Sequence, residues 1–254
     1  MTLPPGKLLL VAAVLFGAAL AQAAKPSEHH TAATIPAVHQ AAHGPLAVQF
    51  QHRTPAKATR RQNHRTAKPE TWNLNPSAKV IYLTFDDGPQ RVYTPKVLSV
   101  LAKYRAKATF FVLGREVAAH PELVAQTRRA GHRIGNHTWD HPKLTKLSAA
   151  QLRQEIASGV RSKCFRPPFR DTNASVAAVA AQYGQRQVLW DVDTKDWSKP
   201  GTDRIERALL RGARPGAIIL MHDGGGDRSE TVAALDRALP HLVAQGYTFR
   251  ALPC

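Results

Sequence analysis

Apolar positions fall into three regimes along the chain. Leu8–Ala21 is an almost unbroken apolar run of 14 residues, preceded by a single lysine, Lys7. Residues 24 to about 75 show no sustained apolar period of about 2 or 3.6. From Val80 onward, short β-rich runs alternate with amphipathic stretches of helical period. These runs predict strands at Val80–Phe85, Ala108–Leu113, Arg133–Asn136, Cys164–Arg166, Gln187–Val192, Ala217–Met221 and Tyr247–Ala251. Helices are expected near 94–104, 121–130, 148–161, 173–183, 202–212 and 230–245. Ser148 with Gln151 forms a capping-box pattern, and Asn173 suits the N-cap of an Ala/Val-rich helix. Gly131, Gly184 and Gly246 stand where helices should end. Seven strands alternating with six helices call for a parallel sheet with right-handed crossovers. The sheet is either open and doubly wound or closed into a barrel, and in both cases function belongs at the C-terminal strand ends.

The first two regimes concern location. A positive start, a 14-residue apolar core and the small-residue exit Ala21-Gln22-Ala23 form a secretory signal peptide over 1–23. The run is shorter than the roughly 18–20 residues a spanning helix needs, so no transmembrane span is expected after its removal. The chain is therefore expected to be exported, to a periplasmic or extracellular site. Residues 24–75 carry seven basic and two acidic residues and six of the chain's 12 histidines. Their irregular spacing favours a disordered basic tether over a metal-binding tail. The folded part is expected over 76–254.

Composition narrows the classes. A hydrophobic content of 43% supports a packed core, and two cysteines are too few for a disulfide-rich scaffold or a four-cysteine zinc module. The formal charge of +17, of which +11 falls in 76–254, suits an anionic cell envelope or nucleic acid. No phosphate-cradling glycine loop or basic-aromatic RNA motif supports specific nucleic-acid binding, and Gly224-Gly225-Gly226 reads as a loop. A monomer is expected.

Polar groups gather at the predicted strand ends. Thr84-Phe85-Asp86-Asp87-Gly88-Pro89 ends the first strand with two adjacent carboxylates, costly to bury unless a metal or a shared proton relieves them. Strand alternation would send them to opposite faces, but Gly88-Pro89 breaks the pleat there. His137-Thr138-Trp139-Asp140-His141-Pro142 follows the third strand. Histidines at i and i+4, added to a carboxylate from a neighbouring strand end, make a His₂-Asp set suited to a catalytic zinc with an open position. Arg166-Pro167-Pro168-Phe169-Arg170 follows the fourth strand, and Arg166 offers a planar two-point contact to a carboxylate. The fifth yields Asp191-Val192-Asp193-Thr194-Lys195-Asp196-Trp197. The sixth ends Leu220-Met221-His222, where His222 alone reads as a core histidine.

Taken in order, these five strand ends resemble the motifs of the polysaccharide deacetylase family, the NodB-homology or carbohydrate esterase 4 enzymes. The resemblance covers about 76–254. It implies a distorted seven-stranded (β/α) barrel rather than an open sheet. It implies Asp86 as general base, Asp87, His137 and His141 as metal ligands, Arg166 as the partner of the base and Asp193 as the residue tuning the acid. His222 matches the general acid, and Trp197 and Leu220 are similar to residues lining the acetyl pocket. Phe169 departs from the family's usual tyrosine, which leaves sugar preference open if the phenol holds substrate. The implied activity is metal-dependent removal of N-acetyl groups from N-acetylhexosamine polysaccharides, peptidoglycan or chitin-like. The alternatives are an O-acetyl esterase on acetylated xylan-like chains and an inactive glycan-binding module. The implied cofactor is a divalent ion, Zn²⁺ first, then Co²⁺, Mn²⁺ or Ni²⁺. In an exported chain Cys164 and Cys254 are expected to pair. That would close a loop of roughly 90 residues, worth about 4–5 kcal/mol in the chain-entropy picture.

Overall fold

The computed structural model describes Leu74 and residues 78–254. The expected signal peptide (1–23) and tether (24–75), Leu74 apart, lie outside the described residues. The elements run β1 (Val80–Asp86), α1 (Tyr93–Lys103), β2 (Thr109–Val112), α2 (Gly114–Ala119), α3 (Pro121–Arg129), β3 (Arg133–Asn136), α4 (Ala149–Ser158), β4 (Cys164–Phe165), α5 (Ala174–Gln182), β5 (Arg186–Gln187), β6 (Val192–Asp193), α6 (Thr202–Gly212), β7 (Ile218–His222), α7 (Ser229–Ala244) and β8 (Thr248–Phe249). Every strand pair is parallel. The order is β5-β4-β3-β2-β1-β7-β6, with β8 added to β1. No helix among the described residues is long and apolar enough to cross a membrane.

Side-chain alternation sorts the strands into two cores. On β1, Ile81, Leu83 and Phe85 pack with Phe110 and Val112 of β2, with Ile219 and Met221 of β7, and with α1 and α7 residues such as Leu101 and Leu239. The opposite face of the same strands, with Tyr82, Phe111 and Ile218, packs around Cys164, Val188 and Leu252 inside the curl of the sheet. This period of two therefore sends Thr84 and Asp86, Leu220 and His222 to the interior. Gly135 on β3 pairs with Phe111 on β2, and a Cβ there would overlap the Phe111 ring.

The curl is the distorted (β/α) barrel that the resemblance implied, with one difference in the strand count. The single strand expected at Gln187–Val192 is two short strands on opposite edges of the sheet. Its start joins β4 and its end joins β7. Val188 N–H donates to Phe165 O at 2.8 Å, and Asp191 N–H donates to Ile218 O at 2.9 Å. The apolar run is real, but a barrel of so few strands leaves a seam that the segment crosses without pairing along its middle. The unforeseen α2 is short and breaks at His120, where Pro121 starts α3.

Local signals act where the sequence puts them. Ser148 Oγ accepts from Gln151 N–H and Gln151 Oε1 accepts from Ser148 N–H at 3.0 Å, a complete capping box for α4. Asn173 Oδ1 accepts from Val176 N–H at 3.0 Å at the start of α5. The C-terminal strand enters low on the barrel: Lys79 O and Ile81 O accept from Thr248 and Arg250 N–H, and Phe249 O accepts from Lys107 N–H. Beyond it, Leu252 N–H donates to Thr109 Oγ1 at 2.9 Å. Cys254 is joined to Cys164 by a disulfide, with Cα atoms 5.1 Å apart. Cys164 opens β4, so this bond lies at the end of the barrel opposite the strand C-termini.

Candidate active site

Strand register sets two of the polar groups side by side. Asp86, the last residue of β1, is paired with His222, the last residue of β7. One residue later the chain leaves the pleat, with Asp87 in the left-handed region at φ 70°. That turn brings both carboxylates to the same pocket. The left-handed region costs an L-residue roughly 1–2 kcal/mol. Thr138 (φ 70°) and His141 (φ 64°) are held there as well. The segment His137–His141 is a loop stitched by side chains. Asn136 Oδ1 accepts from Thr138 N–H, and Thr138 Oγ1 accepts from His141 N–H.

The result is a tight group of ligand atoms. Asp87 Oδ1 lies 3.5 Å from His137 Nε2 and 3.4 Å from His141 Nε2. It is buried with no hydrogen-bond partner, although one oxygen from Asp87 and one nitrogen from each histidine all lie within 4.8 Å of one another. An orphaned buried carboxylate oxygen between two imidazoles fits a divalent cation by the chemistry of its donors. His137 Nδ1 sits 2.7 Å from Arg166 O. A carbonyl only accepts, so Nδ1 carries the hydrogen and Nε2 presents a lone pair. Burial, with His137 nearby, pushes the His141 pKa down to about 4, which keeps that ring neutral. Burial opposes ionisation of Asp87, but the neighbouring imidazoles, His137 first and the charged His222 among them, hold its pKa below the ordinary range.

Asp86 is held from behind. Arg166, fully buried, donates from Nη1 to Asp86 Oδ1 at 2.7 Å and to Thr84 Oγ1 at 2.8 Å. Its Nε donates to Val188 O at 3.1 Å, and its plane lies 4.0 Å from the Phe111 ring centroid. These contacts leave Asp86 Oδ2 facing His137 Nε2, 3.7 Å away.

The group beside His222 differs from the expectation. Asp193 does not reach the imidazole; its carboxylate accepts from Lys195 N–H at 2.9 Å and pairs with Lys195 Nζ at 2.8 Å. Asp196 takes the place expected of it. Lys195, at φ 59°, reverses the chain after β6 and returns Asp196 beneath the end of β7. His222 donates to Asp196 from Nδ1 and from its backbone N–H, each at 2.8 Å, and Thr231 Oγ1 adds a third bond at 2.8 Å. Burial works against the charged ring, but the bond to Asp196 and its charge, reinforced by Asp86 and Asp87, raise the His222 pKa to about 9. Nothing in the local spacing marks Asp196 over Asp193; the left-handed turn between them decides. Asp223, also unforeseen, is fully buried behind Gly88. Burial raises its pKa to about 7, and Thr94 Oγ1 donates to it.

Asp86, Asp87, His137, His141 and His222 line a cavity of about 650 Å³ together with Phe169, Arg170, Trp190, Trp197 and Leu220. Leu220 is buried on β7, whereas Trp197 and Phe169 are 52% and 61% exposed at the rim. Phe169 meets the edge of His141 at 4.4 Å between ring centroids. The site thus offers a carboxylate held by a guanidinium, a cation cradle, a charged imidazole and aromatic walls.

Comparison with known proteins identifies the chain's relatives. The model of the polysaccharide deacetylase family matches residues 73–188. A peptidoglycan-N-acetylglucosamine deacetylase of Bacillus cereus is 42% identical over 189 residues, covering 70% of this chain and 89% of that protein. A chitooligosaccharide deacetylase of Bradyrhizobium is 40% identical over 194 residues, covering 68% and 89%. Among solved structures, a family 4 carbohydrate esterase from Streptomyces lividans in complex with acetate superposes with a TM-score of 0.63 at 37% identity, covering 67% of this chain and 91% of that one.

Proposed function

The chain belongs to the polysaccharide deacetylase family, and on that premise we propose that it hydrolyses the N-acetyl groups of N-acetylhexosamine polysaccharides, peptidoglycan or chitin-like glycans. The observation that carries the reading is the orphaned Asp87 Oδ1 between two imidazole Nε2 atoms, beside a base and an acid in register on adjacent strands. Asp87, His137 and His141 would hold the ion, and a two-nitrogen, one-oxygen set suits Zn²⁺. When bound, a divalent ion there supplies Lewis acidity toward the acetyl carbonyl and lowers the pKa of water toward about 7.

The chain's own residues do the rest. Asp86, oriented by Arg166, takes the proton of the attacking water through Oδ2. The backbone N–H of Phe169 at the rim is the proposed donor to the developing oxyanion. Amines leave poorly unless protonated. His222, charged below about pH 9 and fixed through Nδ1 by Asp196, gives its Nε2 proton to the departing nitrogen as the C–N bond breaks. Acetate and a free amine result. Trp197 and Leu220 would wall the acetyl methyl.

The positive charge of the chain suits action at an anionic envelope outside the cell. The test is acetate release from N-acetylglucosamine oligomers, peptidoglycan and acetylated xylan, each with chelator and with Zn²⁺ restored. Release from the N-acetylated glycans, abolished by chelator and recovered with Zn²⁺, is the expected result. Release from acetylxylan alone would reassign the chain to O-deacetylation, and release insensitive to chelator would overturn the metal assignment.

A further inference from the structure

The turn that carries Phe169 is built from the wrong residues for its backbone. Phe169 and Arg170 both have positive φ, 57° and 59°. Asp171 N–H donates to Pro168 O at 2.8 Å across them. Two consecutive positive φ values inside such a hydrogen bond make a type I′ turn, a conformation dominated by glycine, asparagine and aspartate. A phenylalanine followed by an arginine gains nothing there from the backbone. Strain of this kind gathers where side chains are used, and both side chains here line the active-site cavity.

Among the described residues, Arg170 is also a rim charge without a counter-ion. Asp193 is paired with Lys195 at 2.8 Å, and Asp191 with Arg214 at 3.5 Å. Asp171, next in sequence, accepts from Thr145 N–H and Oγ1. Among the described residues no carboxylate lies within ion-pair reach of the Arg170 guanidinium; it rests instead 5.6 Å from the centroid of the Trp190 ring. That ring is the wall of the cavity, so the guanidinium is shelved at its mouth with its N–H edge open. Uncharged glycans give such a group nothing to neutralise. A glycan with a carboxylate on a sugar next to the N-acetyl group would meet it in a planar, two-point contact.

We infer that Arg170 is a specificity residue that reads a carboxylate on the sugar adjoining the one being deacetylated, so that the preferred substrate is an acidic glycan strand. The inference rests on the deacetylase reading above. The probes are a tetrasaccharide of alternating N-acetylglucosamine and N-acetylmuramic acid with free lactyl carboxylates, the same oligosaccharide with those carboxylates amidated, and chitotetraose. The full chain should favour the free acid over its amide by about tenfold in kcat/KM at low salt, through KM, as befits a charge-assisted contact at an exposed rim. The preference should shrink toward unity at about 0.5 M salt. Arg170→Gln should abolish it, Arg170→Lys should keep part of it, and Arg170→Gly should abolish it without lowering Tm, because glycine suits the turn. An unchanged free-acid preference in Arg170→Gln, or no preference in the parent chain, overturns the assignment. Acetate release from chitotetraose by the parent chain keeps that failure separate. If no probe yields acetate, the deacetylase reading itself falls.

Discussion

The two ends of the barrel are built by opposite rules. Among the described residues eight non-glycine positions have positive φ, and seven of them (Asp87, Thr138, His141, Phe169, Arg170, Lys195 and Lys199) follow strand C-termini. The eighth, Arg105, precedes β2. The same upper end holds the buried charges Asp86, Asp196 and Arg166 and the orphaned oxygen of Asp87. The lower end holds the ladder of β8 on β1, the buried side chain of Leu252 and the Cys164–Cys254 bond. In β/α barrels the C-terminal face carries chemistry and the N-terminal face carries stability. Here that division is written in backbone conformation as well as in residue type: strain is placed where a side chain must be aimed, and cross-links where nothing needs aiming.

The sharpest way to break this contrast is to remove a ligand. Asp87→Ala should lower acetate release by on the order of 10³-fold or more, since the ion's contribution is worth several kcal/mol. It should lower Tm by only a few degrees, because the imidazoles that hold the Asp87 pKa down stabilise the carboxylate, while its Oδ1 is buried without a hydrogen-bond partner beside a second carboxylate, Asp86. Acetate assays and thermal melts in the presence of chelator measure both. A collapse of Tm with the rate would make the triad a structural feature and erase the contrast.

The next largest effect belongs to the lower end. Cys164→Ser together with Cys254→Ser should cost up to about 4–5 kcal/mol of stability, the chain-entropy value for a closed loop of this size. At a temperature where the double variant stays folded, kcat/KM should change by less than about twofold. A denaturant titration paired with initial rates tests this. A large drop in rate without a drop in stability would mean that the two ends are mechanically coupled.

How far the sequence discloses this molecule follows from the range of the forces involved. Alternation separates Tyr82-Thr84-Asp86 from Ile81-Leu83-Phe85 on β1, because a period of two is a local property of a strand, whereas β7 is apolar on both faces up to His222. The cap of α4 and the N-cap of α5 are equally local and are made by the residues the spacing singles out. The motifs at five strand ends stand in chain order, and the fold brings Asp86, Asp87, His137, His141 and His222 around one cavity, with Arg166 buried behind Asp86. What stayed hidden depends on tertiary closure. The seam that splits Gln187–Val192 exists only once the sheet curls. The pairing of His222 with Asp196 rather than Asp193 hangs on one φ angle at Lys195, which no pattern of polarity encodes. The Arg170 turn is hidden for the same reason, since Phe-Arg is not a sequence that announces a type I′ turn.

That single turn at Lys195 can be tested through pH. Asp196 holds the His222 pKa up at about 9 against burial, so the ring is charged, and competent to protonate an amine, until the pH rises through that value. The alkaline limb of kcat should therefore fall near pH 9 in the parent chain. In Asp196→Asn burial is opposed only by Asp86 and Asp87, so the limb should move to clearly lower pH. The sign for stability follows from the same shift. His222 has an unfolded pKa of 6.5 and a raised folded value, so its contribution is fully present below pH 6.5 and is lost as pH rises through about 9. At about 1.4 kcal/mol per pKa unit, the parent chain should lose roughly 3 kcal/mol across that window, and Asp196→Asn should show no such decline. Melts at pH 6 and pH 9.5, with chelator present, separate the two. Asp193→Asn serves as the control, because its carboxylate is engaged with Lys195 and not with the imidazole. A limb that moves in Asp193→Asn and stays put in Asp196→Asn would return the tuning role to Asp193 and contradict the arrangement at the end of β7.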